Sequence, residues 1–363
     1  MKKKLMSRVS NNLSEMASGI ANSCRRIVNR DRIGCIRYSV TWRCNSRCES
    51  CDIWKKATGE KDLAVEEVEK LCKSPLLKHV ERVVLSGGEP TLRNDFPELV
   101  TVMHRNLPKA KFSVTLNGLL PEKTAQMIKK ILKDNPNIII ENIGISLNGP
   151  KEIHDRSRGI PGSFDRAIET CYLLKDFAPI KFSFTFLPYN TEYFGWTQKY
   201  AKKLGIGAYL CWTVMNDRFD TQNKDLNFFK EGIKEHLEEY LKNQRFPTRL
   251  LISYLYDNFT HEKFMQCYAA RQFFHLDPEG DIYPCNFKLS KDRIIGNARK
   301  QSFEEIWNNP SKKRMLEEID CGECIYPNGP CGDSDLNYSN RNNVFTLLKW
   351  YVNKKIRLKK LIE

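Results

Sequence analysis

Extended apolar segments alternate with helical ones between residues 35 and 215, and this alternation constrains the fold more than any other feature. Helical spacing of apolar residues predicts helices over 62–73, 94–106, 121–134, 163–176 and 190–204. Between them lie segments rich in β-branched and aromatic residues, predicted as strands over 35–41, 80–86, 111–117, 138–147, 180–187 and 206–215. Successive β–α units give parallel strands with right-handed crossovers. The sequence therefore predicts an α/β fold with a parallel sheet, either open or closed into a full or partial barrel.

Three cysteines lie in the loop directly after the first predicted strand, where α/β folds place their chemistry. Cys44, Cys48 and Cys51 have the spacing C-x3-C-x2-C, which suits one iron–sulfur cluster. Their odd number leaves one iron without a protein ligand and therefore open to a small molecule. A structural zinc site needs four ligands, and this loop offers no nearby fourth cysteine or histidine. The chain has 13 cysteines and no recognisable secretory signal, which indicates metal or redox chemistry rather than disulfides.

A second motif, Gly87-Gly88-Glu89-Pro90, lies at the end of the second predicted strand. Glycines let the backbone approach a ligand closely, and the Glu89 carboxylate can accept hydrogen bonds from an ammonium group. Together the cysteine loop, the strand order and this motif resemble the radical S-adenosylmethionine (SAM) superfamily over residues 35–215.

The resemblance implies a partial (β/α)6 barrel of the radical SAM type with a small C-terminal iron–sulfur cluster domain. It implies that the three cysteines bind a 4Fe–4S cluster and that the Gly87–Pro90 loop holds the amino group of SAM. The implied reaction is reductive cleavage of SAM to a 5′-deoxyadenosyl radical, which abstracts hydrogen from an unactivated carbon of the substrate.

Two further stretches are similar to the same family. Ser146 and Asn148 close the fourth predicted strand and would face the carboxylate or ribose of SAM. Arg158 would pair with the carboxylate, a bidentate role that suits a guanidinium group. No residue is identified from the sequence as a catalytic acid or base.

Five further cysteines form a second group toward the C-terminus: Cys267, Cys285, Cys321, Cys324 and Cys331. Cys285 closes a predicted strand–turn–strand segment over 274–285, and C-x2-C pairs such as Cys321 and Cys324 often build zinc knuckles. The pattern also resembles the SPASM or twitch extension of radical SAM enzymes, which implies a second, auxiliary 4Fe–4S cluster. Four of the five thiols would suffice for that cluster.

The positive charge of the chain is concentrated at its two ends. Residues 1–34 and 336–363 each contribute +6 to a formal net charge of +15. Apolar residues at helical spacing predict a basic amphipathic helix in each segment, which packs on the protein body or lies on an anionic membrane surface. The acid-poor N-terminal segment also fits an organellar transit peptide, which would not explain the C-terminal helix. The predicted domains are therefore 1–34, the core barrel 35–224, connecting helices 225–261, the auxiliary cluster domain 262–335, and 336–363.

These features predict a radical SAM enzyme acting on a membrane-associated lipid, a lipid-linked glycan or an envelope precursor. The alternatives are a maturase of a ribosomally made peptide or protein side chain, and a non-catalytic iron–sulfur or zinc protein that binds RNA. Expected partners are a reductant such as ferredoxin or flavodoxin and an anionic membrane, and nucleic acid is not favoured. Without a bilayer-spanning apolar run or a signal peptide, the expected location is cytoplasmic, peripheral at the cytoplasmic face of the membrane.

Overall fold

The computed structural model describes residues 32–56, 62–211, 269–285, 290–310 and 312. All six predicted strands are present, and the first five are slightly shorter than their sequence patterns. They are β1 Cys35–Ser39, β2 Arg82–Ser86, β3 Lys111–Leu116, β4 Ile139–Ser146, β5 Ile180–Thr185 and β6 Gly207–Cys211. The predicted extension of the last strand to residue 215 lies outside the described residues.

Six helices alternate with these strands. They are α1 Val65–Cys72, α2 Phe96–Asn106, α3 Pro121–Asp134, α4 Lys151–Arg158, α5 Ser163–Leu174 and α6 Phe194–Lys203. Short 3-10 helices cover Ile53–Lys56, Pro75–Leu77, Pro90–Leu92, Thr191–Tyr193 and Lys291–Arg293. Five of the α-helices match predicted ones. The sixth, α4, has only His154 and Ser157 buried, so its sequence lacks the apolar periodicity that predicts a helix.

The strands form one sheet in the order β6-β5-β4-β3-β2-β1, so neighbours in sequence are neighbours in space. All of these pairings are parallel. Among the described residues the sheet is not closed, and the carboxyl ends of its parallel strands lie along one edge, as in a partial barrel. This arrangement confirms the predicted fold class.

The predicted strand–turn–strand segment is also present, and it extends the same sheet beyond β1. Strand β7, Phe273–Leu276, pairs parallel with β1, and β8, Asp281–Tyr283, returns antiparallel to it. A short β9, Gly296–Asn297, pairs with β8, and the helix α7, Phe303–Trp307, comes after it. Domain boundaries at 224 and 262 stay predictions, since 212–268 lie outside the described residues.

The two faces of the sheet differ in chemistry. One face is apolar and buried, with Ile36, Val83, Phe112, Ile143 and Phe182 each no more than 1% exposed. The alternate positions are mostly polar. They include the larger side chains Arg37, Asn142 and Tyr209 and the small hydroxyl side chains Ser39, Ser86, Ser113, Thr115, Ser146, Ser183 and Thr185. This polar face differs from the interior of a closed barrel, which bulky branched side chains fill.

No helix in the described part of the chain has both the length and the apolar character needed to cross a membrane. The predicted terminal helices over 1–34 and 336–363, and the connecting helices over 225–261, lie outside the described residues except for residues 32–34.

Candidate active site

The loop that carries Cys44, Cys48 and Cys51 follows β1, and all three cysteines are partly buried. Ser46, which is 1% exposed, links two of them. Its backbone N–H donates to Cys44 Sγ over 3.4 Å, and its hydroxyl lies 3.2 Å from Cys48 Sγ. Hydrogen bonds to ligating sulfurs are one way in which a protein sets the potential of an iron–sulfur cluster. Sequence reasoning did not identify Ser46.

The cysteine loop rests on the C-terminal end of α4. The backbone N–H groups of Arg47 and Glu49 donate to the carbonyls of Arg158 and Ser157, over 2.9 and 3.1 Å. Gly159 ends the helix with φ at +63°, in the left-handed region. A Cβ at Gly159 would lie 2.3 Å from the Arg47 carbonyl oxygen, so only glycine fits both the conformation and the contact.

Gly87 and Gly88 pack against residues 40–43, which lead from β1 into the same loop. The Gly88 N–H donates to Thr41 O over 2.7 Å, and the Glu89 N–H donates to Arg43 O over 2.8 Å. A Cβ at Gly88 would lie 2.1 Å from Arg43 O. The close approach seen at these glycines is to the chain's own backbone. Contact of Gly87, Gly88 or Pro90 with a cofactor stays a prediction.

The Glu89 carboxylate is 1% exposed and lies at the centre of this site. It accepts hydrogen bonds from the Thr91 hydroxyl over 2.6 Å, the Thr91 N–H over 3.2 Å and the Asn117 N–H over 2.7 Å. Burial raises the pKa of Glu89, while these hydrogen bonds and the charge of Arg158 favour its ionised form. A carboxylate has about four acceptor positions, so capacity remains for the ammonium group predicted from the sequence.

Asn117, at the end of β3, connects the carboxylate to the cysteine loop. Besides its N–H bond to Glu89, its amide Nδ2 donates to Asn45 Oδ1 over 2.7 Å and lies 4.0 Å from Cys44 Sγ. Sequence reasoning missed this residue. The signal was available, because Asn117 is the polar residue that ends the predicted strand 111–117.

Arg158 has a buried guanidinium nitrogen, Nε, that lacks a hydrogen-bond partner within the described structure. Its positive charge acts on both Glu89 and Cys44. Burial raises the pKa of the Cys44 thiol to about 11, and Arg158 opposes that rise. An unsatisfied buried donor costs free energy, so the position suits an anionic ligand group such as a carboxylate.

Ser146 and Asn148 lie at the same sheet edge, but their side chains bind the chain itself. Asn148 is 1% exposed, donates to the Ser157 hydroxyl over 3.0 Å and accepts from the Thr185 N–H over 2.9 Å. The Ser146 hydroxyl lies 3.3 Å from Leu116 O. Asn148 therefore joins β4 to α4 and β5, and contact of either residue with a cofactor stays a prediction.

Of the five C-terminal cysteines, only Cys285 is described, and it is buried after β8. Cys267, Cys321, Cys324 and Cys331 lie outside the described residues. The ligand set of the auxiliary cluster therefore stays a prediction.

The residues at the carboxyl edge of the sheet fit the groups that the sequence pattern implies. Cys44, Cys48 and Cys51 would hold a cluster with one open iron. Glu89 offers an acceptor for the amino group of SAM, and Arg158 offers a donor for its carboxylate. The neutral Cys44 thiol would lose its proton on binding iron, as ligating thiols do.

Family models match both predicted regions. The model of the radical SAM superfamily matches residues 38–200, and the model of an iron–sulfur cluster-binding domain, SPASM, matches residues 267–325. The first match contains the cysteine loop and the Gly87–Pro90 motif. The second contains four of the five C-terminal cysteines, all except Cys331.

Curated relatives resemble most of the chain. An AdoMet-dependent heme synthase from Methanosarcina barkeri is 27% identical over 332 residues, covering 80% of this chain and 88% of that protein. The mycofactocin maturase MftC from Mycobacterium tuberculosis is 27% identical over 321 residues, covering 83% and 76% respectively.

Solved structures share the fold. Streptococcus suis SuiB bound to precursor peptide SuiA superposes with a TM-score of 0.61 at 14% identity, covering 88% of this chain and 72% of that one. Native anSMEcpe with bound AdoMet gives a TM-score of 0.57 at 18% identity, covering 91% and 100%. At these identities the likeness concerns the fold alone.

We predict that Gly159→Ala lowers iron incorporation, because the added Cβ displaces Arg47 and with it the cysteine loop. The control is Gly162→Ala, which has φ at +76° and open space for 4 Å around the position of an added Cβ. Both variants carry the roughly 1–2 kcal/mol cost of a left-handed alanine, but only Gly159→Ala meets the loop. Iron per chain after anaerobic reconstitution is the measurement, and equal iron in the two variants would contradict this role of Gly159.

Proposed function

Because the chain belongs to the radical SAM superfamily and carries a SPASM iron–sulfur region, we propose that this enzyme matures a peptide or protein side chain. It would abstract hydrogen from an unactivated carbon of that side chain. The observation that carries the proposal is the likeness to the mycofactocin maturase, which extends over 83% of the chain. The fold shared with SuiB, whose structure holds a precursor peptide, is consistent with it.

When bound, the cluster and SAM supply a carbon-centred radical able to break an unactivated C–H bond. The chain's own residues would bind these groups and orient them. Cys44, Cys48 and Cys51 hold the iron, Glu89 accepts from the amino group and Arg158 donates to the carboxylate. Ser46 and Asn117 fix the sulfur-bearing loop, so the ligands keep their positions when the substrate arrives.

The polar face of the sheet is the surface next to that edge, and it suits a substrate with hydrogen-bonding groups. This face carries small hydroxyl side chains such as Ser113 and Thr115, together with Tyr209, whose hydroxyl interacts with Thr115. A peptide carries donors and acceptors along its backbone that such a surface can satisfy, whereas an acyl chain carries none.

The relatives support a peptide substrate better than the lipid or envelope precursor that the sequence favoured. The lipid interpretation rested on the charged terminal segments, most of which lie outside the described residues. Membership of an enzyme superfamily also removes the basis for a non-catalytic RNA-binding protein. A one-electron reductant and an association with an anionic membrane remain proposals.

A second candidate function is radical chemistry on an iron tetrapyrrole. The AdoMet-dependent heme synthase is as similar in sequence as the maturase, and the match covers 88% of its length. Adding iron coproporphyrin III to the reduced enzyme separates the two candidates. A tetrapyrrole enzyme should convert it, while a peptide maturase should leave it unchanged.

We predict that the anaerobically reconstituted enzyme, given dithionite and SAM, forms 5′-deoxyadenosine, and that Cys48→Ala abolishes it. The peptide substrate can be sought by co-expression with short reading frames encoded beside the gene, followed by mass spectrometry of the products. A mass change that requires Cys48 supports the maturase proposal. Retained 5′-deoxyadenosine formation by Cys48→Ala would overturn the assignment of the cluster loop.

We also predict that Arg158→Gln raises the KM for SAM roughly 10- to 150-fold. The reason is that the carboxylate of SAM loses a charge-assisted hydrogen bond worth about 1.5–3 kcal/mol. Arg156→Gln is the matched control on the same helix, since its guanidinium is 59% exposed and pairs with Glu49 instead. The measurement is 5′-deoxyadenosine formation with dithionite at varied SAM. An unchanged KM in Arg158→Gln would remove Arg158 from the cofactor site.

A further inference from the structure

The turn between β7 and β8, residues 277–281, belongs to the SPASM region, residues 267–325. Asp277, which is 3% exposed, holds this turn from within. Its Oδ1 accepts hydrogen bonds from the N–H groups of Glu279 and Asp281, each over 2.9 Å. The Asp277 N–H also donates to the Asp281 carbonyl over 3.0 Å. These bonds fix the backbone of the turn and therefore the direction in which its side chains project.

Glu279 connects this turn to Trp42, which lies two residues before Cys44. The Trp42 Nε1–H donates to Glu279 Oε1 over 2.9 Å, and Trp42 is 8% exposed. On the other side of the turn, Asn297 Nδ2 donates to the Glu279 carbonyl over 3.2 Å. A hydrogen bond to a carboxylate is charge-assisted, so Glu279 holds the indole ring firmly in one orientation.

Trp42 lies between two carbonyl groups that bind the loop after β2. The Gly88 N–H donates to Thr41 O over 2.7 Å, and the Glu89 N–H donates to Arg43 O over 2.8 Å. A change in backbone conformation at Trp42 would move these two oxygens relative to each other, since only φ and ψ are free to rotate. The position of the Glu89 backbone, and with it the carboxylate offered to the amino group of SAM, therefore depends on Trp42.

A second path leads from the same turn to Val40. The Leu63 N–H donates to Pro278 O over 2.7 Å, and Leu63 O accepts from Arg93 Nη2 over 3.0 Å. Arg93 is 2% exposed, and its Nη1 donates to Val40 O over 3.0 Å. One turn of the SPASM region is thus connected to two positions of the segment that leads from β1 to Cys44.

We propose that Glu279 is a positioning residue for SAM, because through Trp42 it holds the backbone that places the Glu89 carboxylate. The SPASM region thereby contributes to the SAM site as well as to an iron–sulfur cluster. The inference concerns SAM alone and goes beyond the proposed function. It is the same for a peptide and for a tetrapyrrole substrate.

The test is the Kd for SAM of the anaerobically reconstituted full-length enzyme, measured by equilibrium dialysis. Glu279→Ala leaves the buried Trp42 N–H without this acceptor and should raise the Kd roughly three- to tenfold. Glu279→Gln keeps an oxygen acceptor without the charge, so its Kd should stay within about twofold of the wild-type value.

The matched control is Glu304→Ala on α7, which also lies in the SPASM region. Glu304 Oε1 accepts from the Ser74 hydroxyl over 2.5 Å, so it joins the same two parts of the chain. Ser74 follows the end of α1, which runs back from the carboxyl edge of the sheet to the start of β2. Since this contact lies far from the cysteine loop, the control should leave the Kd for SAM unchanged.

Trp42→Phe removes the donor instead of the acceptor and should raise the Kd to a similar extent. Combined with Glu279→Ala it should add no further rise, because both substitutions remove the same hydrogen bond. This variant also keeps the test decisive if Glu279→Ala does not fold.

A spectroscopic measurement reports on the contact without any turnover. The indole N–H signal of Trp42 in a ¹⁵N–¹H spectrum is identified by its absence from Trp42→Phe. It should shift in Glu279→Ala and keep its wild-type position in Glu304→Ala.

Three results would overturn the proposal. The first is an equal rise in Kd in Glu279→Ala and Glu304→Ala, which would mean a general loosening of the fold. The second is an unchanged Kd in both Glu279→Ala and Trp42→Phe. The third is a Glu279→Gln variant that binds SAM as weakly as Glu279→Ala, because the effect would then come from charge and not from the hydrogen bond to Trp42.

Discussion

The loop that bears Cys44, Cys48 and Cys51 is held by backbone contacts at two places, and the rest of the site is arranged around it. At its start, Gly88 lies against the chain that leaves β1. Between Cys44 and Cys51, the backbone N–H groups of Arg47 and Glu49 donate to the end of α4. Both contacts involve main-chain atoms and glycines, and the side chains of Ser46 and Asn117 add hydrogen bonds to them. A cluster bound here would have a preset orientation toward Glu89 and Arg158.

Much of the fold follows from sequence because strand periodicity and strand ends are local signals. The strands were predictable from β-branched and aromatic runs, and the rule that chemistry sits at their carboxyl ends located the cysteine loop and Glu89. The helix α4 was not predictable from periodicity, since it buries only His154 and Ser157. Its importance comes from a tertiary contact with the cysteine loop, more than 100 residues earlier in the chain.

Some polar residues of the site were predictable from local sequence signals, and others were not because they depend on tertiary contacts. Glu89 was predicted from its motif, whereas Ser46 and Asn117 emerge only when the loop and the end of β3 come together. Asn148 was located from its place at a strand end, and its predicted cofactor contact stays a prediction. The hydrogen bonds of its side chain to Ser157 and Thr185 could not be predicted, because they join residues from different elements.

The most direct test of this account is the electron paramagnetic resonance spectrum of the dithionite-reduced enzyme with and without SAM. If Cys44, Cys48 and Cys51 leave one iron open, and Glu89 and Arg158 hold the two ends of the amino-acid group beside it, SAM should change the cluster signal. That SAM-sensitive signal should be absent from Cys48→Ala. A spectrum that is identical with and without saturating SAM would contradict the account.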